Sequence, residues 1–81
     1  MKNYYVYILE SISFPGHYYI GYTEGLGSRL SYHNHGKCGH TSKFKPWKIK
    51  NAISFLDKNK ATKFERYLKS GSGRAFSLKH F

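Results

Sequence analysis

Residues 4–11 read YYVYILES, and residues 18–22 read YYIGY. Both runs combine tyrosine with aliphatic and β-branched residues, a composition that is typical of β-strands. Pro15 and Gly16 lie between the runs and are a strong turn signal. The pattern therefore predicts two antiparallel strands, over residues 4–9 and 17–22, joined by a loop. Strand formation alone explains the tyrosines, but the alternative is that some of their hydroxyls face a reaction.

A first helix is predicted over residues 24–34. Thr23 is a suitable N-cap, and Gly36 is placed to end the helix. Gly25 and Gly27 weaken the first turn, each by roughly 1 kcal/mol relative to alanine. A basic loop over residues 36–46 should follow.

The second half of the chain predicts one strand and two helices. Residues 47–56 alternate imperfectly, which indicates a third strand with an irregularity near Asn51. Asp57 should cap a helix over residues 58–69, and Ser72 a short helix that ends at Leu78. The predicted fold class is α+β, a small three-stranded antiparallel sheet flanked by helices in the order β-β-α-β-α-α.

Length and charge limit the function. The 81 residues should form a single domain, residues 1–81, and 14 Lys+Arg against four Asp+Glu give a net charge of +10. Such an excess favours an anionic partner, above all nucleic acid, although a generic basic protein is the alternative. A single cysteine excludes an internal disulfide, no apolar run reaches the roughly 18 residues of a membrane helix, and no signal peptide is evident. We therefore expect a cytoplasmic protein without a membrane partner.

Basic and aromatic residues alternate around the start of the third strand. This pattern suits phosphate contacts combined with stacking on bases. A core tryptophan flanked by solvated lysines would give the same pattern. The candidate nucleic-acid-binding residues are Lys43, Lys45, Trp47, Lys48, Lys50 and Arg74.

Glu65 is an unusual residue for its position. It follows Phe64 and lies four residues after Ala61, on the helix stripe that should pack against the sheet. A carboxylate there is costly unless it is paired with a cation. A surface ion pair is the ordinary explanation. A hard divalent ion such as Mg²⁺ is the alternative, since one carboxylate suffices when water and phosphate complete the coordination shell.

Arg29 and His33 lie four residues apart on the predicted first helix and should share one face. An arginine there is usually a surface residue, but its planar donor fork also suits a phosphoryl-transfer transition state. A lone histidine is more often a structural hydrogen-bonding group than a proton acceptor. His33, His35, Cys38 and His40 also raise a weak alternative of zinc binding, since the paired spacing of a zinc site is missing.

The ordered set Tyr5-Val6-Tyr7, Tyr19-Ile20-Gly21, Arg29 and Glu65 resembles the GIY-YIG endonuclease superfamily. Arg29-Leu30 with His33-Asn34, Pro46-Trp47 and Phe64-Glu65 strengthen the likeness, which spans nearly the whole chain. The chain is most similar in pattern to the small stand-alone bacterial members related to the nuclease domain of the excision-repair subunit UvrC. It departs from the pattern at Tyr5, which stands where the first motif has glycine.

The resemblance implies a divalent-metal-dependent DNA endonuclease, structure-selective or weakly specific, that acts in DNA repair or processing. Tyr7, Tyr19, Arg29, His33 and Glu65 are the implied catalytic residues, with Glu65 as the ligand of one Mg²⁺ or Mn²⁺ ion. A tyrosine would position or deprotonate water, although a phenol with the ordinary pKa of about 10 is a poor base at neutral pH.

Gly21 is the structural residue of the set, since it should allow close backbone packing. We expect the phenols, the guanidinium and the carboxylate to meet in a single open cleft. The alternatives are a non-catalytic nucleic-acid-binding module on the same scaffold and a basic partner protein of a larger repair complex.

Overall fold

The two tyrosine-rich runs form the central strand and one edge strand of a single sheet. The computed structural model describes residues 2–36 and 39–81. Its strand order is β2-β1-β3, and both strand pairs are antiparallel. In chain order the elements are β1 (Tyr4–Ser11), β2 (Tyr18–Thr23), α1 (Leu26–Asn34), α2 (Gly39–Ser42), β3 (Trp47–Phe55), α3 (Lys58–Leu68) and α4 (Gly71–His80). The predicted α+β class is confirmed, and α2 is the one element that the sequence pattern missed.

The register of β3 against β1 shifts by one residue. Ile8 lies opposite Asn51, whereas Leu9 lies opposite Ile49, so Lys50 is the extra residue of a β-bulge. The predicted irregularity near Asn51 is therefore confirmed. The bulge accounts for the broken alternation of this strand, because it changes which residues face each side of the sheet.

One face of the sheet carries an apolar core. Val6 and Ile8 of β1 are buried against Ala61 and Leu68 of α3. Partly buried aromatic rings from the sheet, α3 and α4 surround them. The helical stripe of α3 supplies this packing, because its apolar residues recur every three to four positions.

The opposite face carries a mixed core. Tyr7 and Leu9 alternate with Val6 and Ile8 along β1, so they point to the other side, where Trp47 joins them. Leu26 and Leu30 of α1 cover this cluster. Each face of the sheet is thus covered by a different helical layer, and β1 contributes to both cores.

Helix α1 begins two residues later than predicted. Its N-cap is Gly25, which provides no side-chain bond, whereas the Thr23 hydroxyl accepts a hydrogen bond from the Gly25 amide at 3.1 Å. Thr23 therefore stabilises the turn before the helix rather than the helix itself. The weak first turn expected from the glycines explains the delayed start.

Asp57 caps α3 as predicted, since its carboxylate accepts hydrogen bonds from the amides of Asn59 and Lys60. The predicted cap of α4 at Ser72 is wrong, because the Ser70 hydroxyl accepts from the Gly73 amide and the helix begins at Gly71. The reason is a tight helix–helix corner. A Cβ on Gly73 would overlap the Tyr67 carbonyl, so this position has room only for glycine.

The end of α1 is attached to the start of β3 through one side chain. The Asn34 amide donates to the Trp47 carbonyl at 3.1 Å, and its oxygen accepts from the Trp47 amide. Asn34 therefore bonds both backbone groups of Trp47, as a neighbouring strand would. Among the helices of the described residues, none is long and apolar enough to cross a membrane.

Candidate active site

A chain of buried polar groups lies between α1 and β1. The Tyr7 hydroxyl and His33 Nε2 are hydrogen-bonded at 3.1 Å, and His33 Nδ1 and the Thr41 hydroxyl at 2.8 Å. Tyr7 and His33 are each 2% exposed. Thr41 of α2 thus joins the predicted pair of Tyr7 and His33. No sequence pattern pointed to Thr41, because an isolated threonine in a basic loop has no distinctive spacing.

His33 is held in its neutral form. Burial lowers the pKa of His33 below its ordinary value of 6.5, and the nearby Arg29 guanidinium lowers it further. A neutral imidazole donates from one ring nitrogen and accepts at the other. The two hydrogen bonds of His33 therefore fix one donor and one acceptor along the chain from Tyr7 to Thr41.

Tyr19 is the phenol closest to solvent in this cluster. Its ring lies 4.8 Å from the His33 ring and 6.4 Å from the Tyr7 ring, measured between centroids. Tyr19 is only partly buried, in contrast to Tyr7. The structure therefore brings Tyr7, Tyr19 and His33 together, with Tyr19 on the outside.

Gly21 provides the space that the Tyr7 ring needs. The two residues are paired across β1 and β2, and a Cβ built on Gly21 would overlap the ring and hydroxyl of Tyr7. The ring therefore occupies the space that a side chain at position 21 would need. A larger residue at position 21 would displace Tyr7 from His33 and break the buried chain.

Arg29 lies on the exposed face of α1, one turn before His33. Its guanidinium carbon lies 5.4 Å from the centre of the Tyr32 ring. Arg29 and Tyr32 line a surface cleft of about 580 Å³ together with Tyr22 and Glu24 of the β2 end. We call this the Arg29 cleft.

Tyr22 and Glu24 are residues of the Arg29 cleft that sequence reasoning missed. The Tyr22 hydroxyl donates to the Glu24 carboxylate at 3.2 Å, and Lys2 forms an ion pair with Glu24 at 2.9 Å. The bonds from Lys2 and Tyr22 lower the pKa of Glu24, whereas desolvation and the Glu24 carboxylate raise the pKa of Tyr22. The scarcity of acids was a usable signal, because Glu24 is one of only four.

Glu65 lies on α3, whose helix packs on the face of the sheet opposite to Tyr7, Tyr19 and α1. Its carboxylate pairs with the Lys69 ammonium at 3.1 Å and is 20% exposed. The expectation that the phenols, the guanidinium and the carboxylate meet in a single cleft is therefore wrong. The periodicity of α3 identifies its buried stripe but not the side of the sheet that the stripe covers.

The two sides of the sheet approach each other at the free edge of β2. A second cleft, of about 610 Å³, is lined there by Tyr18 and Tyr19 of β2 and by Lys69, one helical turn after Glu65. We call it the Tyr18 cleft. Residues from both helical layers thus reach the same strand edge, with Arg29 in one cleft and Tyr19 in the other.

Most of the predicted nucleic-acid-binding residues are on the surface. The exposed ones are Lys43, Lys45, Lys48, Lys50 and Arg74. Trp47 is a correction, because it is 4% exposed and its indole N–H donates to the Thr41 carbonyl at 3.0 Å. A buried ring offers no stacking surface, so Trp47 is a core residue flanked by solvated lysines.

The described residues provide no preformed metal cluster. No group of three or more histidine, cysteine or carboxylate side chains is close enough to hold a metal within residues 2–36 and 39–81. Cys38, one member of the weak zinc alternative, lies outside the described residues. His33, another member, has both ring nitrogens in hydrogen bonds.

The geometry can be compared with known proteins. The model of the GIY-YIG catalytic domain matches residues 3–79, which is nearly the whole chain. The chain belongs to the GIY-YIG family. Tyr5-Val6-Tyr7 and Tyr19-Ile20-Gly21, the two motifs of the resemblance, lie side by side on β1 and β2 of this GIY-YIG domain.

Two bacterial relatives are similar to this GIY-YIG domain. A UPF0213 protein from Streptococcus pneumoniae serotype 4 (strain ATCC BAA-334 / TIGR4) is 41% identical over 66 residues, which cover 80% of this chain and 65% of that protein. The chain thus spans just under two thirds of that relative. The solution NMR structure of a UPF0213 protein from Bacillus halodurans matches with 30% sequence identity and a TM-score of 0.57. The match covers 95% of this chain and 83% of the Bacillus halodurans chain. The likeness to small GIY-YIG proteins is confirmed.

Proposed function

We propose that this protein is a divalent-metal-dependent DNA endonuclease that hydrolyses phosphodiester bonds in DNA repair or processing. Its cleavage is structure-selective or weakly sequence-specific. The observation that carries the proposal is the Tyr7–His33–Tyr19 cluster beside Arg29. Membership of the GIY-YIG family supports nuclease chemistry and a DNA substrate. The net charge of +10 supports an anionic substrate and strongly salt-dependent binding. Under this proposal the protein acts in the cytoplasm.

Tyr19 is the phenol that meets the substrate in this mechanism. Its hydroxyl orients the attacking water, because Tyr19 is partly exposed while Tyr7 and His33 are buried behind it. Tyr7 and His33 then act as positioning residues that hold the Tyr19 ring through ring contacts. Because both residues are buried, water is excluded from the back of the cluster, and their hydrogen bond keeps its geometry fixed.

Arg29 supplies positive charge where the phosphate becomes more negative. Its side chain is exposed, and Tyr32 holds the guanidinium over its ring in the Arg29 cleft. A planar guanidinium can donate two parallel hydrogen bonds to non-bridging phosphate oxygens. Stabilisation of the pentacovalent phosphate in this way is worth about 10²- to 10³-fold in rate for one donor group.

Glu65 is the residue that would hold the metal ion. A single carboxylate oxygen donor suits Mg²⁺ or Mn²⁺ when water and the DNA phosphate supply the other ligands. Lys69 already bonds one Glu65 oxygen, so this lysine must release the oxygen or share it. When bound, the ion would supply Lewis acidity to a phosphate that reaches the free edge of β2, where residues of both helical layers meet.

Five exposed cations provide phosphate contacts away from the reaction centre. They are Lys43, Lys45, Lys48, Lys50 and Arg74. Each contact with a phosphate releases condensed counterions, so binding should weaken steeply as salt is added. Such contacts position the backbone without reading the bases.

Nicking of supercoiled plasmid with Mg²⁺ or Mn²⁺ tests the proposal. Arg29→Ala should reduce the nicking rate by about 10²-fold or more, whereas Arg66→Ala, which removes an exposed arginine of α3, should leave it unchanged. Glu65→Gln should abolish the metal-dependent rate, because it removes the negative charge that would hold the ion. Equal residual activity in wild type, Arg29→Ala and Glu65→Gln would identify a contaminant and reject the enzyme.

A non-catalytic nucleic-acid-binding module is the second candidate. Two observations favour it. Glu65, the proposed metal ligand, already has a cationic partner in Lys69. Its helix α3 also lies on the face of the sheet opposite to α1. This candidate predicts DNA binding without cleavage of plasmid, branched, flapped or single-stranded DNA. A role as a basic partner in a larger repair complex makes the same prediction for the isolated protein, but its DNA affinity should be weak.

A further inference from the structure

The Tyr18 cleft has a composition that the reaction described above does not use. Besides Tyr19, its polar and aromatic lining consists of Tyr18, His40, Lys50, Lys69, Arg74 and Ser77. They belong to β2, α2, β3 and α4, except Lys69, which directly follows α3, so the fold assembles the cleft from five separate parts of the chain. We propose that this cleft binds a single strand of DNA, with one base stacked on Tyr18 and its phosphates held by Lys50, Lys69 and Arg74.

The charge of the cleft fits a polyanion. Three of its lining side chains are cations, and none of the described residues that line it is an aspartate or glutamate. Lys69 shares its charge with Glu65, but Lys50 and Arg74 are exposed. Cations around a groove at a strand edge can follow the phosphates of a flexible strand, which makes binding strong at low salt.

Tyr18 indicates which form of DNA the cleft accepts. Its ring is 45% exposed, and the Lys50 ammonium lies 4.6 Å from the ring centre. A base that stacks on this ring would bring its phosphate close to Lys50. In a duplex the faces of the bases are already covered by their neighbours, so an exposed ring of this kind recognises unpaired bases.

The position of the cleft defines a substrate class for the proposed nuclease. Tyr18 and Tyr19 are consecutive residues of β2, and both line the cleft, so a strand bound there also lies beside Tyr19. The expected substrate therefore has a single strand next to a duplex, as in a flap or a gap. This assignment of a substrate rests on the proposed function, whereas binding of the strand can be measured without cleavage.

Fluorescence anisotropy with a labelled oligothymidine in EDTA tests the binding site. Tyr18→Ala should weaken binding by roughly 5- to 150-fold, the usual effect of losing one stacked base, and Tyr18→Phe should restore it. Lys50→Gln/Arg74→Gln should reduce the slope of log affinity against log salt by about 1.4, because each lost phosphate contact on a single strand contributes about 0.7. Lys60→Gln/Lys63→Gln is the matched control. It removes two exposed charges of α3 outside the cleft and should leave the slope nearly unchanged.

The outcomes separate this inference from the proposed function. Wild-type affinity for oligothymidine in both Tyr18→Ala and Lys50→Gln/Arg74→Gln would overturn this inference. If Tyr18→Ala fails to fold, the double variant still tests it, because it changes only exposed side chains. Binding of duplex DNA that is tighter than binding of oligothymidine would also overturn it. So would binding of oligouridine that is tighter than binding of oligothymidine. Arg29-dependent nicking without binding in the cleft would refute this inference alone. Binding in the cleft without any nicking would refute the nuclease alone.

Discussion

The two faces of the sheet are built from the same central strand but hold different kinds of core. On one face Val6 and Ile8 pack against Ala61 and Leu68, and this core is apolar. On the other face Tyr7 and Leu9 lie beside buried histidine and threonine side chains. Alternation along a single strand therefore separates an apolar layer from a layer of hydrogen-bonded polar groups.

A small domain can bury polar groups on one face of its sheet when the other face is apolar. A chain of this length buries only about 60% of the surface of its unfolded form, so the apolar face must supply much of the stability. Buried polar groups on the other face are tolerated because each has a partner: within the described part of the chain, no buried side-chain nitrogen or oxygen lacks a hydrogen bond. The polar face is thus expected to decide function, and the apolar face to decide stability.

The largest expected effect concerns the apolar face. Leu68→Ala should lower the free energy of unfolding by about 2–5 kcal/mol, because it leaves a cavity among fully buried side chains. Urea denaturation measures the change. Leu56→Ala is the matched control, since Leu56 is 68% exposed and its loss should stay within about 0.5 kcal/mol. Similar losses in both variants would contradict the assignment of the core.

Gly21→Ala should disrupt the packing of the Tyr7 ring on the polar face. The added methyl group overlaps the Tyr7 ring, so we expect a loss of about 1–3 kcal/mol together with reduced nicking. Gly27→Ala should instead stabilise the protein by about 0.5–1 kcal/mol, because its Cβ meets no atom within 4 Å and alanine favours the helix. A double-mutant cycle with Tyr7→Ala should show strong coupling at position 21. Additive effects would mean that Tyr7 does not occupy the space above the glycine.

Thr41→Val tests the role of the buried hydrogen bonds that join Tyr7, His33 and Thr41. It removes the hydroxyl bonded to His33 Nδ1 and should cost about 1–2 kcal/mol, because a buried nitrogen loses its partner. The nicking rate should fall in parallel with a change in the chemical shifts of the His33 ring, and Thr41→Ser should restore both. An unchanged His33 spectrum in Thr41→Val would show that Thr41 does not position the imidazole.

The smallest expected effect is on the pH dependence of stability. The pKa of His33 is lowered in the folded protein, so below the ordinary value of 6.5 the unfolded chain binds a proton that the folded chain does not. The contribution of His33 to stability is therefore full above this pH and declines as the pH falls toward the folded pKa. His33→Gln should flatten the decline in urea denaturation between about pH 7 and pH 5. An NMR titration of His33 with a midpoint at or above 6.5 would contradict this prediction.

Much of the fold could be predicted because several local signals agreed. The tyrosine runs, the Pro15-Gly16 turn and the Asp57 cap all lie where the structure has strands, a turn and a helix start. The four-residue α2 was not predictable, since it is too short to have a periodicity. The start of α1 was misplaced because Thr23 bonds a turn amide rather than a helical one.

The candidate site was only partly predictable, for geometric reasons. Helical spacing placed Arg29 and His33 on one helix, but it contained no information on depth, and His33 is buried whereas Arg29 is exposed. The alternatives for Trp47 could not be separated by composition, because a core ring and a stacking ring have the same neighbours in sequence. Whether a stripe packs above or below a sheet depends on the path of the chain, so the position of Glu65 relative to Arg29 required the structure.

The bonds from Asn34 to both backbone groups of Trp47 have a consequence for how this protein tolerates change. They close the segment between residues 34 and 47 at its base, so strand β3 begins at a point that does not depend on the length of that segment. Each doubling of a flexible loop costs only about 0.6 kcal/mol. A peptide tag inserted after residue 36 should therefore leave the sheet intact as long as Asn34 is kept.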